Sequence, residues 1–425
     1  MNVSLLTSSS ISRDGLSPLS HELPGGGSIR YFVDNHIDIV KIDIIFPAGS
    51  AVQDKRLQAS TAIRLITEGT SKHAARDIAE FIDFRGIAVD KGATEVSATL
   101  TVYTLRRHIV ELMPLLREIV VDAAYPDDEF RLYVENRRRH LLTELKRTSY
   151  VARNLFYEKL YGQQHPMGTH AVPDDFDRLT VDDVRRFHRE HYRPESAVII
   201  VGGNVDEEVL ELFDRYFGDF GTEGGRLSVP IPGVATEPTF PHPVNLALPG
   251  AVQNTLRVGR LLPMPWDSMD YARFVVLTTL LGGYFGSRLM SNIREDKGYT
   301  YGIYSQTRIC RGSLLFSIVT DVASDVANAA LAEIMHEVDR LRDEPVTTEE
   351  LDLVRKCMLG DFMRSVDGVF ERSERFGQQL IADIDERFTD NLFRAIDTVS
   401  PEQLQSLAKQ LLQKEELLVV NVGVV

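Results

Sequence analysis

The sequence predicts an α+β protein built from two similar domains, and three observations carry that expectation. The chain has 425 residues, 43% of them hydrophobic, which exceeds the size at which a single core keeps growing. Period-two apolar runs are interleaved with amphipathic helical patterns, rather than segregated into an all-β or all-α region. The order of elements in the first half also returns in the second, with the same proline punctuation.

Residues 1–27 interrupt their apolar content with Ser8, Ser9, Ser10, Arg13 and Asp14, so a flexible tail is expected there rather than an export signal. Ile29 to Val33 and Val40 to Ile44 flank an Asp34-Asn35 turn signal and read as a hairpin with one face on a core. Helical patterns follow over 57–67 and 75–85, and the alternating run Ser97 to Val102 returns to strand. Longer helices are expected over 105–123 and 127–146, the second opened by Pro126-Asp127-Asp128. The continuous apolar run Ser196 to Gly203 reads as a buried strand, and 206–217 as a helix. Gly, Pro, Ser and Thr then dominate, as in a connection between domains. The expected organisation is a tail 1–27, a domain 28–221, a linker 222–238 and a domain 239–425. The linker should be cut first by proteases, separating two folded halves.

In the second half a strand ending in proline, Leu256 to Pro263, matches Val40 to Pro47. An apolar helix over 272–281 follows. A long helix is again introduced by proline and acidic residues, Pro345 to Glu350 against Pro126 to Glu129. Leu417 to Gly423 mirrors the strand at Val198.

The net charge of -15 argues against nucleic acid and anionic membranes, which need clustered positive charge. No apolar run reaches the roughly 18 residues of a spanning helix. Cys310 and Cys357 form neither a ligand spacing nor a disulfide framework, which suits a reducing, cytoplasmic setting. Zinc hydrolysis on a helix needs HExxH or HxxEH, and the sequence has neither. His336-Glu337-Val338-Asp339-Arg340 places arginine at the second ligand position. His188-Arg189-Glu190-His191 is one residue short and is surrounded by Arg185, Arg186 and Arg189, so a solvated helix end is expected there. Nucleophile-elbow, P-loop and dinucleotide motifs are absent.

Gly282-Gly283, Ser287-Arg288-Leu289, Ile293-Arg294-Glu295, Lys297-Gly298 and Tyr301 fall in a spacing that strongly resembles the second-domain motif of pitrilysin/insulinase-type zinc peptidases. Pro47 to Ser50, Glu68-Gly69-Thr70, His165 to Gly168 and His191 to Pro194 resemble further family segments in the right order. The resemblance implies two similar α/β-sandwich domains of the processing-peptidase (LuxS/MPP-like metallohydrolase) type. It places the family's HxxEH on Ser60 to Arg64, so that Ser60, Ile63 and Arg64 stand where the ligands and base would be. None of the three binds zinc or polarises its water. Glu144 falls on the distal ligand position, as a surface helix carboxylate. The second domain keeps the family's Arg/Tyr pair as Arg294 and Tyr301, which in related enzymes holds the substrate backbone and oxyanion.

The resemblance therefore implies a non-catalytic subunit of a heterodimeric zinc peptidase. It would bind no zinc itself, and an HxxEH-bearing partner would supply the metal. Arg294, Tyr301 and half of a peptide chamber would come from this chain, with peptides added to a sheet edge. Two alternatives are a purely structural assembly subunit and a peptide-binding homodimer without hydrolysis.

Overall fold

The computed structural model describes residues 15–222, 225–234 and 243–424. Residues 1–14 of the expected tail, and 223, 224 and 235–238 of the expected linker, lie outside the described residues. Two sheets are present. The first comprises β1 (Leu19–Glu22), β2 (Ser28–Val33), β3 (Ile39–Phe46), β4 (Ala88–Ala93), β5 (Ala98–Leu105) and β6 (Val198–Gly203), in the order β1-β2-β6-β3-β5-β4. The second comprises β7 (Val244–Ala247), β8 (Gln253–Leu261), β9 (Ile303–Cys310), β10 (Ser313–Ala323) and β11 (Leu418–Gly423), in the order β7-β11-β8-β10-β9.

Exchanging β2, β6, β3, β5 and β4 for β7, β11, β8, β10 and β9 converts the first order into the second. The single parallel pairing, β2 with β6, recurs as β7 with β11. The duplication read from element order is thus a duplication of topology.

The expected hairpin between Ile29–Val33 and Val40–Ile44 does not form. β6 separates the two strands, parallel to β2 and antiparallel to β3. All six residues of β6 are buried, and a strand apolar on both faces belongs in the middle of a covered sheet. Part of the expected tail is ordered as β1, which pairs antiparallel with β2 and so closes the sheet edge that β2 would expose.

The helices are α1 (Gln58–Arg64), α2 (Ala75–Arg85), α3 (Ile109–Val121), α4 (Asp127–Glu144), α5 (Thr148–Tyr161), α6 (Pro173–Arg178), α7 (Val181–His191) and α8 (Glu207–Phe217) in the first half. The second half holds α9 (Met269–Thr278), α10 (Ala327–Asp343), α11 (Thr348–Arg364), α12 (Val369–Ala382), α13 (Glu386–Thr398) and α14 (Pro401–Leu411).

Each sheet packs one face on helices of its own half and the other on a helix of the opposite half. Val40, Ile42, Ile44 and Phe46 of β3 join the first-half core. Ile45, with Phe32, Val198 and Ile200, packs instead against Val369 of α12. Reciprocally, Ala152, Phe156, Leu160 and Tyr161 of α5 pack on Leu315, Leu418, Val420 and Val422 of the second sheet.

This exchange accounts for two charged residues inside β3. Lys41 and Asp43 are 3% and 6% exposed, and they form an ion pair of 2.9 Å beneath α12. Thr101 donates to Asp43 at 2.6 Å, and Lys41 donates to Ser373 of α12 at 3.3 Å. A buried charge pair is tolerated when its remaining hydrogen-bonding positions are filled in this way.

Candidate functional site

The 282–301 segment forms a rigid platform in the second half. After α9 the helix widens into a π-type turn over Thr279–Gly283, and a second such turn spans Met290–Asp296. Gly282 presses against β9, where a Cβ would stand 2.6 Å from the Ser305 backbone nitrogen, so only glycine fits. Arg288 makes a two-pronged ion pair with Glu350 of α11, at 2.7 and 2.8 Å. Asn292 donates to Glu333 and Glu337 of α10, at 3.0 and 2.7 Å. Gly298 takes a left-handed φ of 66°, which favours glycine and turns the chain back toward β9.

On this platform the Arg294 guanidinium lies 4.6 Å from the Phe285 ring centroid. Tyr301 is 101% exposed, just before β9, and Phe285 and Tyr304 are also exposed. Neither the Arg294 nor the Tyr301 side chain has a hydrogen bond or ion pair among the described residues. The strand β9 begins two residues after Tyr301, at Ile303.

The first-half positions lie on and near α1. Ser60 donates its hydroxyl to the Leu57 carbonyl at 3.2 Å. Ile63 is fully buried in the core. Arg64 is exposed and lies close enough to act on Lys91 of β4. Burial holds the Lys91 ammonium below its ordinary pKa, Arg64 adds to that effect, and Glu68 opposes it. Glu144 pairs with Arg147 at 2.8 Å. Among the described residues no group of three or more His, Cys, Asp or Glu side chains is arranged to hold a metal ion. A hydroxyl turned to its own helix, an alkyl group, one guanidinium and a carboxylate already paired with Arg147 do not fit zinc.

The histidine pair of α7 differs from the expected solvated helix end. His188 is buried and bonds the Val120 carbonyl at 2.9 Å, and burial pushes its pKa down to about 4. It is a satisfied core histidine beside Tyr125 and Tyr192, and the alternation of charged neighbours in sequence gave no sign of that burial.

Between the halves lies a cavity of about 580 Å³ whose wall includes Ser60, Ala93, Glu95, Arg153, Tyr157 and Arg308. Two sheet edges meet there. β4 and β9 are the outermost strands of their sheets, and Glu95, just past β4, pairs with Arg308 of β9 at 3.6 Å. Arg153 and Tyr157 arrive on α5 because that helix crosses to the second sheet. The sequence reading missed Glu95, Arg153, Tyr157 and Arg308; no motif marks them, and only the exchange of helices brings them together.

Residues 178–357 match the family model described as the peptidase M16 inactive domain. That stretch of the chain is similar to the peptidase M16 inactive domain. Among similar proteins, the uncharacterized zinc protease YmxG of Bacillus subtilis is 22% identical, with 82% of this chain and 84% of the relative covered. The non-peptidase homolog YmxG of Helicobacter pylori is 19% identical, with 89% and 88% covered. The crystal structure of a peptidase M16 inactive domain from Pseudomonas fluorescens superposes with a TM-score of 0.84 at 20% identity, covering 96% of this chain and 98% of that one. The fold of that structure is therefore shared along nearly the whole chain, and the region matched by the family model holds both π-type turns, Arg294 and Tyr301. No described helix is long and apolar enough to cross a membrane.

Proposed function

We propose that this chain is the non-catalytic subunit of a heterodimeric zinc metallopeptidase. In this reading a partner bearing HxxEH supplies the zinc and general base. This chain binds no zinc and supplies Arg294, Tyr301 and half of the peptide chamber. The observation that carries the reading is a contrast between the two halves. The metal positions hold Ser60, Ile63 and Arg64, whereas Arg294 and Tyr301 stand without hydrogen-bond partners on a braced platform. Donors held rigidly and left open suit a substrate backbone or a developing oxyanion. The open edges of β4 and β9 suit addition of an extended peptide. Both cysteines are unpaired thiols, which fits assembly in the cytoplasm.

The test is reconstitution with an HxxEH-bearing family subunit, measuring peptide hydrolysis, zinc content, association and thermal unfolding together. Zinc should follow the partner alone. Tyr301→Phe and Arg294→Ala should each reduce turnover by about 10² to 10³, with association unchanged. Full activity in both variants of an intact complex would reduce the platform to a structural element and favour an assembly subunit. About one zinc held by this chain alone would overturn the reading outright.

A further inference from the structure

The cavity between the halves carries positive charge that the reading above does not use. Arg153 of α5 and Arg308 of β9 line it. Arg257 of β8 stands behind them, close enough for its charge to interact with Arg153 and Tyr157. Arg153 is exposed and rests on the Tyr150 ring at 5.1 Å. Arg257 is half-buried, and its Nε has no hydrogen-bond partner. Burial holds the Arg257 guanidinium below its ordinary pKa, and the Arg153 charge adds to that.

Among the described residues neither Arg153 nor Arg257 has a carboxylate within ion-pair distance. The acids in the cavity wall have partners already, Asp54 with Arg186 at 3.8 Å and Glu95 with Arg308 at 3.6 Å. Asp321 of β10 acts on the Arg257 charge from beyond ion-pair distance and offsets part of the Arg153 effect, and Arg153 itself rests on an aromatic ring rather than on an acid. Unmatched guanidinium groups converging on a partly enclosed space are the recognition chemistry of a carboxylate.

We propose that this cavity is a carboxylate-binding subsite for a bound peptide. Arg153 contacts the carboxylate, Arg308 shares it by loosening its long pair with Glu95, and Arg257 reinforces the field from behind. The carboxylate is either the peptide's C-terminus or an acidic side chain. The subsite sits where β4 and β9 meet, so a peptide lying along either edge strand reaches it. The proposal rests on the peptide-binding reading and adds the class of peptide preferred.

Short fluorescent peptides of one neutral sequence provide the test on the full chain by anisotropy. One ends in a free carboxylate, a second in an amide, and a third is amidated with one internal glutamate. At low salt a carboxylate peptide should bind on the order of tenfold tighter than the neutral amide, and added salt should shrink the difference. Whether the first or the third shows the preference identifies the source of the carboxylate. Arg153→Gln, at an exposed position, should abolish the preference without moving the thermal unfolding midpoint, and Arg257→Gln should weaken it. Equal binding of all three peptides, or a preference that survives Arg153→Gln, overturns the subsite and leaves the peptide-binding reading standing. Absence of binding by every peptide overturns both.

Discussion

Cutting the chain between its halves should fail to separate them, because each half covers the other's sheet. A protease site inserted at Gly233, where the backbone has open space, severs the connection without touching either core. Four exchanged side chains then hold the fragments together: Phe156, Leu160 and Tyr161 of α5, and Val369 of α12, all between 0% and 6% exposed. Burial of such a side chain contributes about 1.5–3 kcal/mol, or about 6–12 kcal/mol for the four. Micromolar association corresponds to about 8 kcal/mol. Part of the gross value offsets the lost freedom of two bodies, and Phe370, Phe376, Leu380 and Ile381, packed on the same face of the first sheet, add to it. The nicked protein should therefore elute as one native species at micromolar concentration and resolve into two fragments only in denaturant. Phe156→Ala should loosen the pair by about 3–5 kcal/mol. Two folded fragments eluting separately under native conditions would refute the claim that exchanged helices bind the halves together.

Two further perturbations probe the core and the platform. His188 is neutral when folded, with its pKa at about 4 against an ordinary value of 6.5. Below about pH 6.5 the unfolded chain takes up a proton that the folded chain refuses. Stability should thus fall between about pH 6.5 and pH 4, by roughly 3 kcal/mol in total. Urea unfolding of His188→Phe should lack that slope, and parallel pH profiles for variant and parent would show that another group is responsible. Gly282→Ala should push β9 away from the π-type turn, since the added carbon meets the Ser305 nitrogen at 2.6 Å. A cost of about 1–3 kcal/mol in thermal unfolding is expected, with a loss of activity in the reconstituted complex; an unchanged midpoint would mean the turn is not held at that contact.

How much of this was legible in the sequence depended on whether the signal was local. α2 and α4 begin where the sequence reading starts them, at Ala75 and Asp127, because periodicity and an acidic first turn act within one helix. The duplication was legible because prolines and apolar runs recur in order. The position of β6 between β2 and β3 was not. Turn residues between neighbouring strands favour a hairpin, and nothing local reports a strand arriving from residue 198. β1 was hidden for a different reason: its residues are largely exposed, so its order comes from backbone pairing rather than from an apolar pattern.

The same limit explains why the platform was found from sequence and the cavity was not. Arg294 and Tyr301 lie within one continuous stretch whose glycines and ion-pairing residues have local tasks, so the stretch carries its own signature. The cavity is assembled from a loop after β4, a helix from the first half and a strand from the second. Lys41 and Asp43 show the underlying ambiguity. In sequence they alternate with Val40, Ile42 and Ile44 as the solvent face of a strand, and in the fold that face is buried under α12. Alternation reports that a strand has two different faces; it does not report what covers the second. The residue that covers it is decided by α5 and α12 crossing between halves, and the same crossing carries Arg153 to the side of Arg257 and Arg308. The positive cavity is thus a product of the exchange itself, so a perturbation that frees α5 from the second sheet should remove the carboxylate preference even with every arginine in place.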